Sequence, residues 1–156
     1  MQDLKIDISN VILDLEATTN VEALGQLSEL MQHNGYVKAS YKDAVIEREG
    51  TFATGLPTVY CSVAIPHTDT EHVLSKAIGV AVLKETVPFV IMGELEETTD
   101  VKLIFMLAMD KEDAQLSLLQ KLMGIFQNDE LLSFIANTKN KQSIVDAIDQ
   151  ALNESK

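Results

Sequence analysis

Tryptophan is absent from this chain of 156 residues, and aromatic residues make up only 5% of it. A base-stacking surface or an aromatic carbohydrate platform is therefore poorly supplied. Cysteine occurs once, so no internal disulfide can form, a usage that fits a reducing cytoplasm. Positive charge is scarce: 12 Lys and Arg stand against 24 Asp and Glu, for a net charge of −12. Divided at residue 78, the halves hold 5 basic and 11 acidic residues, then 7 and 13, so each carries −6. The charge is spread along the chain and not gathered in a tail. Such a field repels nucleic acid and anionic lipid and favours basic partners. No basic-plus-apolar signal opens the sequence. The longest uncharged run, Gly50 to Thr68, is interrupted by Gly55, Pro57 and Pro66 and does not read as a membrane span. There is no P-loop, dinucleotide fingerprint or GxSxG elbow. The expectation is a cytoplasmic protein with no nucleic-acid partner and no direct membrane insertion.

The remainder has an ordinary globular profile, with 46% hydrophobic and 23% charged residues. Its length suits one domain with a real core. No repeat, low-complexity tract or linker divides it, so residues 1–156 read as a single domain.

Lys5 to Leu15 reads as a short strand or an irregular entry. Thr19-Asn20-Val21-Glu22 is a capping box, in which Thr19 accepts from the Glu22 amide while Glu22 reaches back. Val21, Leu24, Leu27, Leu30 and Met31 follow at helical spacing, and Asn34-Gly35 supplies a left-handed stop. A second helix starts at Ser40, carries Ala44, Val45 and Arg48, and ends at Gly50. Val59 to Ile65 reads as a strand closed by Pro66. Ala77 to Leu83 and Val101 to Met109 are near-continuous apolar runs, as in strands covered on both faces. Val87 to Met92 reads as another strand, with Gly93 and the acidic stretch Glu94 to Asp100 as a turn or loop. Three helical patterns finish the chain, around Leu116 to Phe126, Leu131 to Ile135 and Ile144 to Leu152. Helices, then strands, then helices again predict an α/β class, a sheet with helices on it.

The inventory of reactive groups is short: three histidines, one cysteine and one arginine. His33 lies in the last turn of the first helix, where the helix dipole favours a cation, and nothing ligand-like surrounds it. His72 follows Thr70 and Glu71 on a short polar helix. Its spacing from His67 does not put both rings on one helical face, and no cysteine cluster supports a metal, so none is expected. His67 ends an apolar strand directly after Pro66, which removes an amide and stiffens the approach. Its position fits either a functional group or an ordinary strand-end histidine. Arg48 stands between Glu47 and Glu49 near a helix end. Its planar fork of donors suits phosphate oxygens, while the bland reading is a surface salt bridge to Glu47 or Glu49. Cys61 lies within the apolar strand with no flanking base and reads as an inert thiol. The pairs Glu96-Glu97 and Asp129-Glu130 read as solvated.

One run ties several of these residues together. Arg48-Glu49, then Phe52-Ala53-Thr54-Gly55-Leu56, then Val63-Ala64-Ile65-Pro66-His67 resembles the "RE…TG…AIPH" signature of the fructose/mannitol-class enzyme IIA proteins of the bacterial sugar phosphotransferase system. The motif covers about twenty residues, and the order of elements and the length extend the similarity along the chain. The resemblance implies a three-layer fold, a mixed sheet sandwiched by helices. It implies that His67 is the phosphorylated residue, that Arg48 lies by the phosphoryl group, and that Thr54 is placed for a hydrogen bond to it. One departure stands out. Many members open the helix after the long buried strand with a second histidine, in a pattern like H-L-x-L-L. Here the string is Gln115-Leu116-Ser117-Leu118-Leu119. That glutamine and the phrase Arg48-Glu49-Gly50-Thr51-Phe52 look like the galactitol branch. Gln115 substitutes for the histidine only as a neutral amide donor.

The implied role is a phosphohistidine carrier for sugar-alcohol uptake, with the Nε2 atom of His67 as acceptor. HPr is the implied donor, the cysteine of an enzyme IIB the acceptor, and the membrane enzyme IIC an indirect partner. No cofactor is required. Loose, in-line transfer asks the protein mainly to position groups and to neutralise the phosphoryl oxygens. Two rival readings accompany it. One is a regulatory relative whose phosphohistidine controls a regulator, although Gln115 separates the chain from the nitrogen-related branch. The other is a non-enzymatic binding domain that has lost carrier activity, against which His67 and Arg48 occur together.

Overall fold

The computed structural model describes residues 6–154. A one-turn 3-10 helix at Ile8–Asn10 leads into β1 (Val11–Leu15), α1 (Asn20–His33) and α2 (Ser40–Thr51). Two short strands follow, β2 (Gly55–Leu56) and β3 (Ser62–Ala64), and then a 3-10 turn at Thr70–His72. The long strands β4 (Ala77–Val90) and β5 (Thr98–Ala108) precede α3 (Glu112–Ile125), α4 (Asp129–Asn137) and α5 (Lys141–Glu154). One five-stranded sheet is ordered β1-β4-β5-β3-β2. It is mixed: β1 with β4 and β3 with β5 are parallel, while β4 with β5 and β2 with β3 are antiparallel.

Strand side chains alternate between faces, and the two apolar cores follow that alternation. Ile78, Val80, Val82, Leu103, Phe105 and Leu107 meet α3, α4 and α5 through Leu118, Leu122, Phe126, Ile135, Ile144 and Ile148. Ala77, Ala81, Leu83, Ile104, Met106 and Ala108 meet α1 and α2 through Leu24, Leu27, Met31, Tyr41 and Val45. Both faces are thus covered over residues 77–83 of β4 and 103–108 of β5, which is why these stretches read as apolar runs. The result is the expected α/β sandwich.

Helix α1 starts as the sequence predicts: Thr19 accepts from the Glu22 amide and Glu22 from the Thr19 amide. It stops at Asn34-Gly35, with Gly35 at φ +85°, a conformation open to glycine without strain. Of the expected Lys5–Leu15 entry, Lys5 lies outside the described residues, and the remainder divides into the 3-10 turn and β1.

Two strand expectations are corrected. The stretch Val59 to Ile65 gives only Ser62–Ala64, because Thr58 closes a turn onto Cys61: its amide and hydroxyl both donate to the Cys61 carbonyl. Val59 is pushed out to 91% exposure. Val87 to Met92 is no separate strand. Its residues through Val90 continue β4 beyond a register shift between Val82 and Val87, where Lys84, Glu85 and Thr86 are exposed. A bulge interrupts the apolar run as a turn would. The turn lies at Gly93, as expected, but β5 begins at Thr98, inside the stretch expected as loop.

Candidate functional site

His67 is delivered by β3. Beyond Ala64 the chain continues through Ile65 and Pro66, and the Pro66 carbonyl accepts from the Leu107 amide of β5 at 3.0 Å. The buried Tyr41 hydroxyl donates to the Leu107 carbonyl at 2.6 Å, so α2 also braces this end of β5. His67 is half-buried, and its Nδ1 lies 2.8 Å from the Ile65 carbonyl. A carbonyl oxygen only accepts, so in the neutral ring Nδ1 holds the proton and Nε2 holds the lone pair. Burial depresses the His67 pKa, the Ile65 bond partly offsets this, and the nearby Arg48 guanidinium depresses it further. The ring is thereby kept neutral, the form that acts as a nucleophile.

Arg48 comes from the last turn of α2. Its Nη1 stands 3.7 Å from Asp69 Oδ1 and its Cζ lies 5.1 Å from the Phe52 ring centroid. Its Nε is buried without a hydrogen-bond partner among the described residues. The surface pairing with Glu47 or Glu49 weighed from sequence gives way to this looser contact with Asp69. Most of the guanidinium fork thus remains uncommitted, facing an open cleft of ≈ 550 Å³ lined in part by Arg48, Thr51, Phe52, Thr68, Asp69 and His72.

Glu49 turns the opposite way. Tyr41, Val45 and Glu49 lie four residues apart along α2 and form its buried face, the spacing of one helical stripe. Glu49 is 5% exposed, and its Oε2 accepts from the Thr54 amide at 2.7 Å while Oε1 accepts from the Thr54 hydroxyl at 2.8 Å. Burial pushes its pKa up to about 7, against the lowering effect of the two Thr54 bonds. Thr54 is 4% exposed, and its Oγ1 also accepts from the Ile65 amide at 3.2 Å. The hydroxyl expected to reach a phosphoryl group is therefore turned inward, its proton committed to Glu49. The glycine after it has a packing reason: a Cβ at Gly55 would lie 2.6 Å from the Val90 carbonyl oxygen. Glu49 was missed as a site residue because its charge hides it within an apolar stripe. The i, i+4, i+8 spacing was the signal.

Gln115 sits in the opening turns of α3, half-buried, and neither it nor His67 is among the residues that line the Arg48 cleft. Its Oε1 is buried without a hydrogen-bond partner among the described residues. His72 Nδ1 is 2.8 Å from the Ser40 hydroxyl, and His33 is exposed at the end of α1. Burial raises the Cys61 thiol to about 11, so it is protonated near neutrality. Among the described residues no group of three or more His, Cys, Asp or Glu is placed to hold a metal ion, and no helix is long and apolar enough to cross a membrane.

Comparison with known proteins gives the chain's family and the fold it shares. The chain is 31% identical over 103 residues to the transcriptional regulator ManR of Bacillus subtilis (strain 168), covering 66% of this chain and 14% of the regulator. It is 27% identical over 121 residues to the galactitol-specific EIIA component of Escherichia coli (strain K12), covering 78% of this chain and 80% of the relative. Its fold matches that of enzyme IIAMTL in complex with phosphorylated enzyme IIBMTL from Escherichia coli, with a TM-score of 0.72 at 22% identity, over 97% of this chain and 99% of the other. Residues 5–151 match the family model described as phosphoenolpyruvate-dependent sugar phosphotransferase system, EIIA 2, and the chain belongs to that family.

Proposed function

We propose that this chain is a phosphohistidine carrier, with Nε2 of His67 as the acceptor. The observation that carries the reading is the His67 Nδ1 contact with the Ile65 carbonyl, which leaves the lone pair on Nε2 while Arg48 stands close enough to depress the ring's pKa. Nε2 attacks phosphorus as the bond to a nitrogen of the donor's phosphohistidine breaks, and that electron pair returns to the donor ring. In the second half-reaction a cysteine thiolate attacks, a P–S bond forms, and the pair returns to Nε2. Arg48 supplies the fork that neutralises phosphoryl oxygens, and no metal takes part.

The donor is HPr and the acceptor an enzyme IIB; the IIAMTL–IIBMTL complex supports the acceptor by analogy. Similarity to a galactitol-specific component supports a sugar alcohol as the transported class. Phe52, 62% exposed beside Arg48, provides an apolar rim of the kind two successive partners need. Similarity to ManR favours a second reading, in which phosphorylation of the same histidine controls a regulator. Phosphoryl transfer from phosphoenolpyruvate through the general components, followed by a panel of purified IIB proteins, tests the proposal. Transfer onward to a IIB cysteine supports the transport reading. A phosphorylated chain that passes its group to no IIB, yet binds a regulator in a phosphorylation-dependent way, supports the regulatory one.

A further inference from the structure

Behind His67 lies a chain of hydrogen bonds that the transfer chemistry does not itself require. An ionised carboxylate has no proton to give, so the Thr54 hydroxyl must donate to Glu49, as the 2.8 Å contact permits. With its proton spent there, Thr54 Oγ1 offers lone pairs, and the Ile65 amide donates to it at 3.2 Å. Ile65 is thereby held at its N–H, while the Pro66 carbonyl one residue on is held by β5. Between these two anchors lies the Ile65 carbonyl, which accepts from His67 Nδ1 at 2.8 Å. Each link fixes the direction of the next, from carboxylate to imidazole.

A buried carboxylate is a costly way to fill space, because removal from water penalises the ionised form. Packing alone would be served as well by a neutral side chain at the end of the Tyr41–Val45 stripe. The charge fixes direction, and the direction ends at the ring nitrogen opposite the nucleophile.

We propose that Glu49 is a positioning residue for phosphoryl transfer: acting through Thr54, it holds Ile65 so that the Ile65 carbonyl keeps the proton on Nδ1 of His67 and leaves the lone pair on Nε2. This rests on the carrier reading above. Glu49 touches neither ring nor phosphoryl group. Once Nε2 bonds to phosphorus the ring becomes cationic with Nδ1 still protonated, and the bond to Ile65 becomes charge-assisted. The same anchor then serves the phosphorylated form.

The test is the tautomer of His67, read by long-range proton–nitrogen correlation on the intact, nitrogen-15-labelled protein at about pH 8, where Glu49 is ionised and the ring neutral. The wild type should show a protonated Nδ1 and an unprotonated Nε2. Thr54→Val and Glu49→Gln should each give a mixture of tautomers and transfer from phospho-HPr about ten- to a hundredfold slower, as when other groups that orient an imidazole through its second nitrogen are removed. Thr54→Ser, which restores the hydroxyl, should recover both readouts, and it keeps the comparison open if Thr54→Val fails to fold. A wild-type ring protonated on Nε2 would overturn the proposal. So would folded Thr54→Val and Glu49→Gln variants with an unchanged tautomer, whether or not transfer slows. A wild type that takes no phosphoryl group at His67 would instead overturn the carrier reading, because the tautomer is measured on the unphosphorylated protein.

Discussion

Arg48 and Asp69 face each other at 3.7 Å, near enough for attraction but too far for a hydrogen bond. The guanidinium is therefore restrained without being saturated, the condition a phosphoryl clamp needs. Arg48→Lys keeps the charge and loses the fork. Single-turnover transfer should slow by about tenfold or more, the loss of roughly one charge-assisted hydrogen bond. The midpoint of chemical denaturation should scarcely move, since an exposed pair is worth about 0 to 1 kcal/mol. A lysine variant with wild-type rates would reduce Arg48 to a surface cation.

His67→Ala should abolish incorporation of label from phosphoenolpyruvate, whereas His33→Ala and His72→Ala should leave it intact. His33 stands exposed at a helix end, and His72 is engaged with Ser40. Loss of label in the His72 variant, with the fold preserved by circular dichroism, would bring that ring into the chemistry.

The buried carboxyl of Glu49 makes stability depend on pH in a defined direction. Its folded pKa, about 7, is above its ordinary value of 4.5, so between these the native state binds more protons than the unfolded one. Its contribution is fully present below about 4.5 and is lost as pH rises through about 7, to the order of 3 kcal/mol. His67, whose pKa is depressed, acts in the opposite direction: its contribution is present above about 6.5 and lost as pH falls through the lower folded value. Comparing wild type with Glu49→Gln isolates the carboxyl. Urea denaturation across this window should show wild type losing stability relative to the variant as pH rises. A constant difference would mean that Glu49 is not desolvated.

Gln115 neither ionises nor shuttles a proton, so the pH dependence of transfer from phospho-HPr should report His67, lying below its ordinary value, and Glu49, at about 7, with nothing from residue 115. Gln115→Ala should slow transfer by roughly two- to tenfold, the cost of a neutral hydrogen bond of about 0.5 to 1.5 kcal/mol. A second ionisation that persists in Glu49→Gln, or a loss of several orders of magnitude in Gln115→Ala, would contradict this account. Both are read from the pH dependence of single-turnover rates.

Much of this site was legible as residue types in the sequence, and what was not has physical reasons. The Thr19–Glu22 cap and the Gly35 stop are local chemistry and form as written. His67 was visible as a strand-end ring and Arg48 as a lone fork. Glu49 was present in the same motif, but a charge on a short helix directly after Glu47 and Arg48 reads as solvated unless Tyr41 and Val45 are counted with it. Thr54 looked like a donor to the outside, because no sequence shows where a hydroxyl proton goes. The Ile65 carbonyl, which sets the tautomer, belongs to the backbone and carries no residue signature. In the sheet, the Thr58–Cys61 turn and the shift at Lys84–Thr86 escaped notice because a bulge and a turn interrupt apolar runs alike.

The central claim is that Nε2 of His67 carries the phosphoryl group. It is tested most directly by phosphorylating the nitrogen-15-labelled protein from phosphoenolpyruvate through the general components and reading phosphorus–nitrogen coupling on the histidine rings. The account predicts one phosphorylated ring, that of His67, bonded through Nε2 with Nδ1 still protonated. A phosphoryl group on Nδ1, on His72 or on Cys61, or none at all while a control EIIA is labelled in the same mixture, would contradict it.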